Sequence, residues 1–199
     1  MSDLATFVNL GFHHIVNSDA LDHILFLLAL AAVYRREDWR DALWVVTAFT
    51  VGHSVTLALA VTGALVLPTP LIEFLIPVTI VVTALENLAV RSRAVTPWNG
   101  RYRALFTAVF GLVHGAGFAN YLRNLFDGPI VVPLFGFNLG IEFGQILVLS
   151  LAAVLLTVID RLLSLRRGEF FMAYRWRVVS VSVAVLLVAG RMAVERRPW

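Results

Sequence analysis

Six ionisable side chains stand well inside apolar runs of this 199-residue chain: Asp22, His23, His53, Glu86, His114 and Glu142. Burying an ionisable group in a bilayer core is costly, so each of these marks a candidate functional position. Neutral imidazole favours zinc, nickel, cobalt and iron in the divalent state, and a carboxylate adds compensating charge. Met1, Met172 and Met192 lie away from these positions, which argues against a Cu(I) site. Cysteine is absent, which removes thiolate ligands and cysteine nucleophiles. The chemistry on offer is that of a divalent metal held by nitrogen and oxygen. A histidine in a span also serves as a simple hydrogen-bonding link between helices, and from their neighbourhood alone His13 and His14 read that way.

The elements that position these groups are set by composition. Hydrophobic residues make up 59% of the chain and charged ones 15%, with a mean hydropathy of +0.83, so water is not its main solvent. The pattern predicts one all-α domain over residues 1–199, a polytopic transmembrane bundle of about six helices. The expected segments are Leu21–Tyr34, starting near Ser18 with Asn17, Ser18 and Asp19 as cap residues, Ala42–Val66, Leu71–Val90 with a kink at Pro77, Ala104–Leu122, Leu134–Asp160 and Val178–Val194. The N-terminal stretch has no basic n-region or cleavage-like site, so no removable signal peptide is expected.

All 16 basic residues are Arg, and they concentrate in alternate connections. The first, third and fifth carry three, four and five, whereas the second has none and the fourth has one. The basic connections are therefore expected in the cytoplasm and the N-terminus outside; the basic balance reads as orientation and implies no nucleic-acid partner. Trp44, Trp98 and Trp199 are expected interface anchors.

At about 1.5 Å per residue, His53 and His114 fall roughly 15 Å from the cytoplasmic ends of their segments, and Glu142 about 12 Å below the outer face. Asp22 and His23 come somewhat nearer the outside. These five are expected to converge in the outer half, with Glu86 apart from them near the cytoplasmic face. Asn138, Glu142 and Gln145 share one helical face, and Gly136, Gly140 and Gly144 form a double GxxxG series on roughly the opposite one. Gly111 and Gly115 make a further GxxxG around His114. These glycine faces are candidate packing surfaces, within the chain or toward a second copy or an accessory subunit. Thr47, Thr50, Ser54 and Thr56 surround His53 in sequence and offer it orienting partners.

The stretches GFHHIVNSDALDHILFLLAL, TAFTVGHSVTLALA, EFLIPVTIVVTALENL, FGLVHGAGFA and FNLGIEFGQ together resemble the HupE/UreJ family of bacterial membrane proteins, some of whose members are accessory nickel permeases for hydrogenase or urease. The resemblance implies a bacterial inner-membrane location and a metal site drawn from His14, Asp22, His23, His53, His114 and Glu142, with Glu86 also implicated. There are departures from the permease signature. Seven residues separate His14 from Asp22 where the signature has five, and Phe118 and Tyr121 stand where it has a second His and an acid.

Two functions compete. One is a divalent-cation permease, nickel or cobalt in type, with the His/Asp/Glu site at mid-membrane and Glu86 and Asn138 as a path for ion or proton. The other is a zinc-type intramembrane hydrolase of a lipid-linked substrate, with His23, His53 and His114 as ligands and Asp22 or Glu142 as base. An accessory subunit whose polar residues only fix helix packing is the non-chemical alternative.

Overall fold

The computed structural model describes residues 4–17, 20–89, 100–123, 130–167 and 170–199. Among these the chain forms seven α-helices and no strand: α1 (Leu4–Val16), α2 (Leu21–Val33), α3 (Trp39–Val61), α4 (Thr69–Ala89), α5 (Gly100–Arg123), α6 (Val131–Arg167) and α7 (Phe170–Glu195), with a 3₁₀ turn at Arg36–Asp38. Four of them, α3, α4, α6 over Val131–Leu163 and α7 over Tyr174–Glu195, are long and apolar enough to cross a membrane. The polytopic helical bundle expected from the sequence is therefore present. The six expected segments correspond to α2 through α7, of which the 24-residue α5 is the least apolar.

The first segment differs from expectation. With 13 residues α2 reaches only about 20 Å, short of a core of about 30 Å. It is bent by 70° from α1, and the two together have the length and composition of a broken span or a re-entrant loop. The sequence reading missed α1 because Asn9, His13 and His14 interrupt its apolar pattern. Ser18 and Asp19, expected as cap residues, lie outside the described residues; α2 starts at Leu21, with Ala20 as its N-cap and no side-chain cap bond. At α3 the expected end moves back to Val61, because Thr62 caps the helix and Gly63 follows with φ 76°, a left-handed conformation that suits glycine after a helix C-terminus.

Glycines set two close helix pairs. A methyl group on Gly11 would overlap the Phe137 carbonyl, and one on Gly140 the Val8 carbonyl, while Gly136 meets Leu4 and Gly144 meets Ile15. Positions thus rise together, so α1 and α6 run parallel. Gly52 lies against Ala108, Gly111 against Phe49 and Gly115 against His53, which makes α3 and α5 parallel too. The GxxxG faces considered for oligomer contacts are occupied inside the chain. Between the pairs lies a core that includes Phe26, Leu27, Leu30, Val46, Ile80 and Ile141.

The end at which α3, α5 and α7 begin carries the basic connections. There side chains of neighbours reach carbonyls at the C-terminal end of α2, where the last four have no donor within the helix. Asn87 donates to Ala29 O (2.8 Å), Arg177 to Ala32 O (3.1 Å) and Tyr174 to Val33 O (2.9 Å). Arg177 also pairs with Asp160 (2.9 Å), and Arg103 with Glu86 (3.4 Å) and Asn87 (2.8 Å). Cationic groups at a helix C-terminus also complement its dipole.

Candidate metal centre

Four helices bring four histidines together. His53 stands 14 residues into α3 and His114 14 residues into α5, so both sit about 21 Å from the basic end on parallel helices. His14 comes from the last turn of α1 and His23 from the first turn of α2, so the break between those helices opens onto the cluster. Ring centroids are 5.0 Å apart for His14 and His23, 5.2 Å for His23 and His114, and 6.3 Å for His23 and His53. His23, His53 and His114 are buried, His53 completely.

One nitrogen from each of His14, His23 and His53 lies within 4.8 Å of the other two. Imidazole nitrogens about 2.0–2.1 Å from a tetrahedral ion stand about 3.4 Å apart, so side-chain movements of about 1 Å would close the three on a metal. His14 Nε2, His23 Nε2 and both nitrogens of His53 have no hydrogen-bond partner among the described residues. Unpaired buried polar atoms are rare in folded proteins and each calls for a cause. A bound cation supplies one, because neutral imidazole offers it a lone pair. The donor set therefore fits a divalent metal of the kind imidazole favours.

Asp22 does not belong to the triad. Its Oδ1 lies 3.1 Å from His23 Nδ1 and accepts the His23 backbone N–H at 2.8 Å. A carboxylate on one ring nitrogen turns the other toward the metal and raises its basicity. His114 is held differently. Thr79 Oγ1 donates its only proton to Ile76 O (2.7 Å), so His114 Nε2–H donates to Thr79 at 3.2 Å and Nδ1 keeps the lone pair.

Aromatic rings wall the cluster. Phe118 lies 4.0 Å from His14, Phe137 5.6 Å from His14, and Phe49 5.1 Å from His114. Phe118 and Phe137 stack at 5.1 Å. This wall was not anticipated, although Phe49 precedes His53 by four residues and Phe118 follows His114 by four, a one-face spacing that signals it. The Tyr121 side chain lies outside the described residues. A cavity of about 500 Å³ leads to the site, bounded by His14, Asp22, His23 and His114, with Glu73 and Arg196 at the end opposite the basic connections.

One expected member stands elsewhere. Glu142 accepts a hydrogen bond from Thr47 (2.6 Å), and Gln145 one from Thr50 (3.0 Å), so the shared face of α6 meets the α3 threonines. Thr47 precedes His53 by six residues, which sets Glu142 about 9 Å toward the basic end. Glu86 is engaged by Arg103 at that end, apart from the histidines as expected. Asn138 donates to Leu134 O (2.9 Å) and approaches His53, its Oδ1 lacking a well-formed hydrogen bond among the described residues. His14, expected from its neighbourhood as a linking residue and implicated only by the family resemblance, is a full member of the triad.

Comparison with protein-family models matches residues 1–196 to the family described as HupE / UreJ protein. No curated protein and no solved structure matches the chain.

Proposed function

Since the chain belongs to the HupE / UreJ family, membrane proteins related to nickel and cobalt transport, we propose that it is a divalent-cation permease of the nickel or cobalt type. His14, His23 and His53 are the transient ligands, Asp22 orients His23, and His114 completes the polar lining. The observation that carries this reading is the set of unpartnered imidazole nitrogens where α1 and α2 break, those of His14 and His23 bordering an open cavity and those of His53 buried behind them. A discontinuous helix suits ion binding, because its break exposes backbone at the site; the C-terminal end of α1 brings negative potential there, against the positive N-terminal end of α2. The aromatic wall limits competing ligands.

The basic connections orient the protein in the bacterial inner membrane with the cavity and N-terminus outside. Asn138 beside His53 and Glu86 near the cytoplasm form the onward path, and parting of Glu86 from Arg103 opens it. Purified protein in liposomes containing a metal-sensitive dye tests this. Nickel or cobalt influx that is lost in His53→Ala is expected; absence of influx from wild type would overturn it.

One observation favours a second reading, metal-activated hydrolysis: two of the triad, His14 and His23, open to a cavity that Asp22 also lines, with His53 buried behind them. Three ligands and an open position are what zinc-bound water requires. Near-stoichiometric zinc that survives purification, with no influx, would select this reading.

A further inference from the structure

A second cavity, of about 660 Å³, lies at the basic end between α2, α3 and α6. Its lining on α6 runs from Ile146 to Arg161, 15 residues or about 22 Å along the helix. One leaflet of hydrocarbon is about 15 Å deep, so the groove has the reach of an acyl chain plus its headgroup. Along that length its α6 wall is mainly apolar, with Leu149, Ala153, Val154 and Val158. At the basic end the lining changes to Arg35, Arg161, Tyr34 and Trp39, with no carboxylate among the lining residues. Of the nearby acids, Asp160 binds Arg177 and Asp38 accepts the Arg35 backbone N–H at 3.0 Å, while Asp41 stands near Tyr34 and Glu37 lies in the same connection; the Arg35 guanidinium lies over the Tyr174 ring at 4.2 Å. Trp39 is 55% exposed and Arg161 is exposed. Two guanidiniums and two amphipathic rings above an apolar slot match the chemistry of an acidic phospholipid, and anionic lipids are concentrated where basic connections face the cytoplasm.

We propose that this groove binds one acidic phospholipid, its phosphate at Arg161 and Arg35 and an acyl chain along α6 toward Ile146. The site requires only that the chain sits in a bilayer and is independent of transport. Because Arg35 and Trp39 flank the connection from α2 to α3, the bound lipid braces the end of α2 against α6.

Native mass spectrometry of the delipidated full chain in detergent tests this, titrated with phosphatidylglycerol or with phosphatidylcholine of identical acyl chains. Phosphatidylglycerol is expected to bind about tenfold more tightly, the scale of one or two basic contacts. Arg161→Gln should reduce that preference severalfold, and Ala153→Phe, which fills the apolar slot, should weaken both lipids; retained helical melting certifies each variant as folded. Millimolar inorganic phosphate should not displace the lipid. Equal binding of the two lipids, an unchanged preference in Arg161→Gln, unchanged binding in Ala153→Phe, or displacement by phosphate would each overturn the proposal.

Discussion

At the basic end, Arg103 and Arg177 each reach a carboxylate, and Asn87, Tyr174 and Arg177 take carbonyls at the end of α2. At the cavity end, an equally buried set of imidazoles leaves four nitrogens of the triad without partners among the described residues. Both regions place polar groups where apolar packing would be less costly. At the basic end Glu86 Oε1 and Asp160 Oδ1 also lack a hydrogen bond among the described residues, but each belongs to a carboxylate that faces a guanidinium, whereas the triad nitrogens face no opposite charge except through Asp22 on His23. Ion pairs that close on themselves hold helices together. Imidazole nitrogens gathered within 4.8 Å of one another without hydrogen-bond partners among the described residues are matched by something from outside the chain. The difference separates a latch from a binding site within one bundle.

The contrast breaks most visibly if each region is disabled in turn. Asp160→Ala leaves Arg177 buried without its carboxylate and should cost about 3–5 kcal/mol of stability, while metal affinity per folded molecule stays unchanged; thermal unfolding in detergent and metal titration read the two quantities. The double variant His23→Ala with His53→Ala should do the reverse, lowering affinity for Ni²⁺ or Co²⁺ more than 100-fold by removing two of three ligands, beyond the 10–100-fold typical of outer-shell changes, with little change in unfolding temperature. Loss of stability without loss of affinity in that variant would make the histidines a packing device.

Smaller effects sharpen the comparison. Asp22→Asn keeps the shape of the pair with His23 but removes its charge, and should weaken metal binding about 10–100-fold by titration calorimetry. Phe118→His puts a further imidazole beside His14, where the ring centroids are 4.0 Å apart. It should tighten metal binding about tenfold, one added ligand offsetting lost aromatic packing, and slow release in a liposome efflux assay. Glu142→Gln should change affinity less than twofold, because Thr47 and not the triad holds that side chain.

Much of this site is legible from spacing. His53 and His114 lie equally deep in their helices, and counting residues at the rise of an α-helix brings them to one level. Asp22 and His23 follow from their place at the start of an apolar run. What counting does not give is the partner of a face. Asn138, Glu142 and Gln145 do share one side of α6, but no feature of that segment says that α3 presents Thr47 to Glu142 while the imidazole of His53 lies farther along. The glycine series likewise announces close packing without naming α1 as what packs there. α1 was the largest omission, because a 13-residue helix carrying Asn9, His13 and His14 has too little apolar length to register as a span. Its role becomes visible only when α6 lies beside it. The latch of Arg103 and Arg177 was hidden for a related reason: arginines beside a basic connection read first as orientation signals.

The most direct test of the central claim is X-ray absorption at the nickel edge on protein loaded with one equivalent of Ni²⁺, for wild type and for His53→Ala. Wild type should display the multiple-scattering pattern of about three imidazoles, falling by one in the variant. A spectrum of oxygen ligands alone, or one identical in the two proteins, would contradict the assignment of His14, His23 and His53 as the metal ligands.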